Sequence, residues 1–306
     1  FSGKKFSNLV ICGMGGSALP AEILKILPHL NLPVVIHRSY GLPREADENS
    51  LIFISSYSGN TEEEISALNE AVQKKFNIVV FSEEGEIQEQ AKDKNIFFVD
   101  YPKEAEGFQP RFGLGCAFSA MLSVLQNINL VPCEVKEKLS ALSKFLTQEN
   151  LRFEKEGKLI AEKIFGKIIL TYASHEFRGL SYIWKINFNE TSKIPAFSNC
   201  FPELNHNEMN GFLNLAKIAG GKILILNLLD ESGNKRVLKR SKITADLLSK
   251  QNIETINIPL YGENPLQKIF SSVLLSMWTS YYLAKLYNTE PEEVKIVEEF
   301  KKLLQK

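Results

Sequence analysis

The chain predicts an α/β protein of two tandem units, each a parallel sheet wound on both faces by helices, with long helices closing the chain. Three observations carry that expectation. Short apolar runs alternate with stretches of helical spacing, the pattern of strand–helix–strand units. The alternation gives way to a wholly helical stretch over residues 112–165 and restarts at Lys167. Two strand-to-helix junctions are made of glycines and hydroxyl side chains, where open α/β sheets bind ligands. We set the units at 1–130 and 131–306, the change falling between residues 130 and 150.

In order, residues 8–12 form an apolar strand, Gly13-Met14-Gly15-Gly16-Ser17 breaks it, and residues 18–27 have helical spacing. Residues 33–37 and 50–55 are the next strands. Residues 62–75 follow as a helix with three glutamates in its first turn, as the helix dipole favours. Strands at 77–81 and 95–99 flank a short helix at 87–92, and residues 103–110 form a linker. Helices are expected at 112–127, 135–147 and 149–165. The second alternation has strands at 167–171, 222–226 and 254–258, with helices at 177–187 and 235–250. A core helix at 266–287 precedes a last helix opening at Thr289-Glu290-Pro291, an N-cap followed by proline.

Residues 189–211 fit neither period. They hold Glu190, Glu203, Glu208 and His206 among five asparagines, with enough apolar side chains to fold. A folded loop that carries chemistry is the expectation.

Composition narrows the partners. Lys plus Arg and Asp plus Glu both number 36, so the net charge is zero, which argues against nucleic acid. The four cysteines are scattered without a CxxC pair, which predicts no structural zinc and reduced, mostly buried thiols in a cytoplasmic protein. No signal peptide opens the chain, and Phe1-Ser2-Gly3 leads almost directly into a strand, so a preceding segment is expected. The stretch 266–287 contains Gln267, Lys268, Lys285 and five Ser or Thr residues, too polar for a membrane span.

At the first glycine turn, small residues let backbone N–H groups approach an anion at a helix N-terminus. The same GxGxxA fits a dinucleotide fingerprint, but the second strand closes on His37-Arg38-Ser39, without the acid an NAD site uses. An NADP site through Arg38 and a purely structural turn stay open. The second turn places Ser55, Ser56, Ser58 and Thr61 around Gly59, ahead of a helix. Hydroxyls and amides together suit the terminal oxygens of a phosphomonoester. Gly15, Gly16, Ser17, Ser56, Ser58 and Thr61 are the expected phosphate ligands.

GMGGSA followed by SSYSGNTEE resembles a sugar isomerase (SIS) domain, in which such serines and threonine hold a sugar's phosphate. QPRFGLG, NETSKIP and PELNHNE extend the resemblance, over nearly the whole chain, to the bifunctional phosphoglucose/phosphomannose isomerase family. It implies two SIS-type units that isomerise glucose 6-phosphate, and mannose 6-phosphate, to fructose 6-phosphate without cofactor or metal. Such chemistry needs a ring opener, a base that carries a proton between C1 and C2, and a cation beside the enediolate. The resemblance makes Glu190 the base. It gives His206 ring opening, delivered across a homodimer interface, and it gives Lys285 assistance in that step. Arg111 carries a permanent charge suited to the enediolate oxygen. Glu203 and Glu208 rank lower, as residues that orient His206 or cap helices, and Asn205 and Asn207 are expected to fix its tautomer. Lys285 continues an apolar stripe through Leu274, Trp278 and Tyr281. The family often has a hydroxyl or amide side chain two turns earlier, where Trp278 or Thr279 stands, which leaves the epimer preference open. The rival reading is a non-catalytic SIS regulator, which would carry a basic helix-turn-helix unit that this neutral chain does not offer.

Overall fold

A computed structural model describes residues 1, 3–27, 30–102, 108–132 and 134–304. Cys133 and residues 103–107 of the expected linker lie outside them. The chain divides into two compact units, Phe1–Ala141 and Leu142–Lys306.

The first unit runs β1 (Asn8–Cys12), α1 (Leu19–Ile26), β2 (Val34–His37), β3 (Ser50–Ser55), α2 (Glu62–Gln73), β4 (Asn77–Ser82), α3 (Glu86–Asp93), β5 (Phe97–Asp100) and α4 (Leu114–Asn127). Its five strands are all parallel, in the order β2-β1-β3-β4-β5. β1, β3 and β4 are continuous apolar runs because helices cover both of their faces. Val10, Ile52, Ile54 and Val80 pack on Ala67, Leu68 and Ala71 of α2 and on Ile87 and Ala91 of α3. The chain leaves β1 toward one edge for β2 and returns to β3 on the other side. The sheet therefore changes winding direction between β1 and β3, and the two polar turns follow those two strands.

α5 (Val135–Ile164) is one helix of 30 residues, where the sequence suggests two. The polar Gln148 interrupts the apolar pattern but supplies neither the glycine nor the proline that would end a helix.

The second unit continues with β6 (Ile168–Ser174), α6 (Arg178–Glu190), β7 (Ala196–Phe201), α7 (Glu208–Gly211), α8 (Leu215–Ala219), β8 (Ile223–Leu229), α9 (Lys235–Ser249), β9 (Glu254–Pro259), α10 (Pro265–Leu286) and α11 (Lys295–Leu304). Its parallel sheet has the order β7-β6-β8-β9. Both units are thus the wound α/β layers that the alternation predicts.

Two expectations fail here. The stretch 189–211 is not a loop throughout, because its middle is β7. β7 pairs on one side only and six residues leave little room for a period, so its alternation is masked. Thr289 does not open the last helix, which begins at Lys295. The Thr289 amide and hydroxyl both donate back to the carbonyl of Ala284, at 3.0 and 3.2 Å, and so close α10. The left-handed turn at Asn288 makes that return possible (φ 53°).

α6 and α10 run side by side in one direction, joined by a buried polar ladder. Trp184 Nε1 donates to Ser272 Oγ at 3.0 Å, Asn187 Nδ2 to Ser276 Oγ at 2.7 Å, and Ser192 Oγ to the Ser280 carbonyl at 2.8 Å. On another side α10 meets α5. Trp278 donates to Asn150 at 3.0 Å, Tyr282 to Glu154 at 2.6 Å, and a Cβ on Gly157 would lie 2.7 Å from that of Trp278. The stripe through Leu274, Trp278 and Tyr281 is therefore partly a packing face. Among the described residues no helix is long and apolar enough to cross a membrane.

Candidate active site

In the first unit the predicted phosphate ligands come together. Gly15 takes a left-handed conformation (φ 49°) that opens a short 3-10 turn, Gly15–Ala18, ahead of α1. Ser17 Oγ accepts from the Tyr57 amide at 3.2 Å, and Ser55 Oγ donates to the Ser17 carbonyl at 3.0 Å. These bonds lock the turn after β1 to the turn after β3. Ser55 is thereby a structural hydroxyl, further held by Tyr101 at 3.1 Å. Ser56 and Thr61 share a hydrogen bond of 3.1 Å between hydroxyls, and Ser58 stands exposed. Gly59 is fixed by space: a Cβ there would lie 1.7 Å from the Glu84 carbonyl oxygen, and its φ is 67°.

Arg111 joins this cluster. It lies in a turn just before α4 rather than in the helix, and only 2% of it is exposed. A Cβ on Gly16 would lie 2.6 Å from the Arg111 amide nitrogen, so the glycine turn and the arginine backbone touch. The guanidinium lies over the Phe112 ring, 4.4 Å from its centroid. Phe108 packs on Tyr57 with ring centroids 5.7 Å apart. This aromatic contact pins the arginine's segment to the serine turn. Arg38, the residue an NADP site would use, is held by Glu22 at 2.6 Å.

In the second unit the candidates separate. Glu190, half-buried, is the last residue of α6 and precedes β7, whereas His206, exposed, ends the 3-10 turn Glu203–His206 after β7. Six strand residues intervene, which at about 3.3 Å each puts roughly 17–20 Å of sheet between the two levels. Glu190 faces the amino edge of the sheet and His206 the carboxyl edge. Lys285 lies near the end of α10, which runs parallel to α6, and so belongs to the same edge as Glu190. It is exposed, with Nζ 3.3 Å from the Tyr281 hydroxyl. Extending the α6–α10 ladder brings Glu190 level with Trp278 and Thr279. Thr279 is wholly buried and its hydroxyl donates to the Leu275 carbonyl at 2.8 Å.

The neighbours of His206 are engaged elsewhere. Asn205 Nδ2 donates to Thr244 at 2.8 Å; Asn207 Nδ2 donates to Glu203 at 2.6 Å and its Oδ1 caps the Glu208 amide. They hold the turn's backbone and do not fix the imidazole tautomer, as the sequence suggested they would. Glu208 accepts from Tyr172 and from Asn199. Burial and that carboxylate push the Tyr172 phenol well above its usual range. Glu208 therefore anchors the histidine's turn to β6 and β7.

The chain is 33% identical over 305 residues to a bifunctional phosphoglucose/phosphomannose isomerase of Aquifex aeolicus, covering 98% of this chain and 91% of that one. The chain belongs to this family. A bifunctional phosphoglucose/phosphomannose isomerase of Caldicellulosiruptor bescii is 32% identical, over 97% of this chain and 89% of that one. Residues 153–304 match the bacterial phospho-glucose isomerase C-terminal SIS domain. Among solved structures, a glucosamine-6-phosphate deaminase of Thermotoga maritima superposes with a TM-score of 0.70 at 14% identity, over 94% of this chain and 88% of that one. That likeness concerns the fold.

Two features of the site escaped the sequence reading. The wall of Tyr57 and Phe108 carries no motif. Glu64 is buried in the first turn of α2, and its one signal, Thr61-x-x-Glu64, reads as an ordinary helix cap. Of the thiols, Cys12 is buried, Cys200 half-buried and Cys116 exposed, so the described cysteines are not mostly buried. Among the described residues no three His, Cys, Asp or Glu side chains gather as a metal site would require.

Proposed function

We propose that this protein interconverts glucose 6-phosphate, and mannose 6-phosphate, with fructose 6-phosphate by proton transfer through an enediolate. The observation that carries the reading is the junction of the two polar turns and buried Arg111 at the winding change of the first sheet. Ser17, Ser56, Ser58 and Thr61 supply hydroxyl donors, and Gly15 and Gly16 supply close backbone, for a phosphate dianion. Arg111, held dry by aromatic rings, supplies charge to the enediolate oxygen.

Glu190 is the base, a role that a carboxylate fills by taking the proton from one carbon and returning it to the other. His206 opens the ring with help from Lys285. Because Glu190 and His206 of one chain face opposite edges of a sheet, the pair that serves one sugar comes from two chains, and a homodimer is the catalytic form. Thr279 is closed off by its own helix, so tolerance of both C2 epimers does not come from its hydroxyl.

The test is turnover of each hexose 6-phosphate in the presence of EDTA, followed as fructose 6-phosphate. Wild type should turn over both. Glu190→Gln should lose on the order of 10²–10⁴ in kcat with little change in KM. Full activity of that variant removes Glu190 as base, and no turnover by the wild type favours a binding protein.

A further inference from the structure

The second unit holds a cavity of about 340 Å³ for which the proposed isomerisation has no use. One wall is α9, through Arg236, Lys239, Arg240 and Ile243; the other is the turn after β7 and α7, through Asn205 and Met209. Positions 236, 239, 240 and 243 recur at helical spacing, so three cations and an isoleucine share one face of α9. The helix carries five cations, Lys235, Arg236, Lys239, Arg240 and Lys242, against one acid, Asp246. In a chain of zero net charge this is a local excess. Two of the cations stand in the first turn, where the helix dipole opposes them and no acid offsets them. Asn234 already caps that turn, so side chains and not a helix end make the site.

The cations are unanswered. None of Arg236, Lys239 and Arg240 forms an ion pair with a described residue. The acids of the facing wall are engaged elsewhere: Glu203 accepts from Asn207, and Glu208 from Tyr172 and Asn199. Arg240 is half-buried, and its guanidinium makes one long hydrogen bond, 3.5 Å from Nη1 to Asn205 Oδ1. A guanidinium has five N–H donors, and a cation drawn partly out of water calls for an anion. The facing wall is also fixed in place. Asn205 Nδ2 donates to the buried Thr244 hydroxyl at 2.8 Å, and Met209 packs on the core around Leu204 and Phe212. Ile243, 46% exposed, joins Met209 to give the cavity an apolar side.

We propose that this cavity is a second anion site, which takes a phosphate monoester with an apolar or aromatic carbon part. None of the first unit's phosphate ligands contributes to it. The two guanidinium forks match phosphate oxygens in pairs, and Lys239 adds a point charge. Ile243 and Met209 cover the carbon part, a contact that favours a hydrocarbon over a hydroxylated sugar ring. The volume suits a small molecule. A nucleic-acid strand is a poorer match, because the cations form one short patch and not a track along a backbone.

The experiment is calorimetric titration of the full chain with phenyl phosphate and, separately, with inorganic phosphate, near pH 7.5, where both are mainly dianions. The starting chain carries Ser56→Ala and Thr61→Val, which remove two hydroxyls from the first unit's turn. It should keep one saturable site that holds phenyl phosphate at least about threefold tighter than inorganic phosphate. Adding Arg236→Gln and Arg240→Gln should raise the Kd for phenyl phosphate at least about tenfold. Adding Ile243→Ser instead should abolish the preference and leave the affinity for inorganic phosphate within about twofold. If the starting chain does not fold, as judged by circular dichroism, the loss of one of two sites between wild type and Arg236→Gln with Arg240→Gln decides. The proposal is overturned by the absence of a saturable site once Ser56 and Thr61 are replaced, or by an affinity indifferent to both arginines. Equal affinity for the two probes overturns the ligand class, and binding that vanishes at about 0.15 M salt marks a diffuse surface charge and overturns the site.

Discussion

At Gly59 the backbone leaves room for a hydrogen atom and nothing larger. Alanine there would combine a left-handed φ with a carbonyl oxygen 1.7 Å from its Cβ, so Gly59→Ala should cost at least about 2 kcal/mol, read as a lower urea midpoint. Glu64 makes a second prediction at this scale. Its folded pKa, about 8, lies above its ordinary value, so the folded chain holds a proton that the unfolded chain releases. The associated stability is complete below the unfolded pKa and is lost as pH rises through about 8. Glu64→Gln should therefore gain on wild type by a few kcal/mol at most between about pH 5 and about pH 9, measured by denaturant titration at each pH. Residues such as Gly15, Ser56 and Thr61 were legible in the sequence because their task is local: a tight turn, a hydroxyl, a helix start. Glu64 was not, because Thr61-x-x-Glu64 is written like a cap and only the third dimension shows the carboxyl buried. Asn205 and Asn207 misled for the opposite reason, since sequence adjacency to His206 says nothing about which way a side chain points.

Among the elements, α10 was legible as a core helix although five Ser and Thr residues punctuate it. Two of those hydroxyls, on Ser272 and Ser276, find their use against α6. Asn187→Ala should cost roughly 1–3 kcal/mol, the range for losing a buried polar contact; a thermal melt measures it. The loss should stay at the low end, because Ser276 keeps its bond to the Val273 carbonyl at 2.7 Å. β7 was illegible because a one-sided strand of six residues, set among asparagines and prolines, carries too few positions for a period. The end of α10 was misread because threonine followed by proline opens helices in general, whereas Thr289 closes one here. Element type survives such conflicts better than element boundaries, which depend on a single bond such as that from Thr289 to Ala284.

For the molecule as a whole, two windings of parallel sheet were legible because repeated alternation is a signal summed over many residues. The placement of Glu190 and His206 on opposite edges of one sheet was not, since 16 residues of sequence separation suggest neighbours. That placement supports a mixing experiment. Inactive Glu190→Gln and inactive His206→Ala, unfolded and refolded together in equal amounts, should recover about a quarter of wild-type activity, because half of the pairs are mixed and each mixed pair keeps one intact site in a two-fold dimer. No recovery, with mixed dimers verified by mass, would place both residues in one chain's site. The separation of Glu190 and His206 also bears on dosage. If the six residues of β7 keep the two groups on different sugars, damage to the histidine silences the neighbour's centre and spares the bearer's own. Specific activity would then fall on dilution below the dimer's Kd, although every chain remained folded.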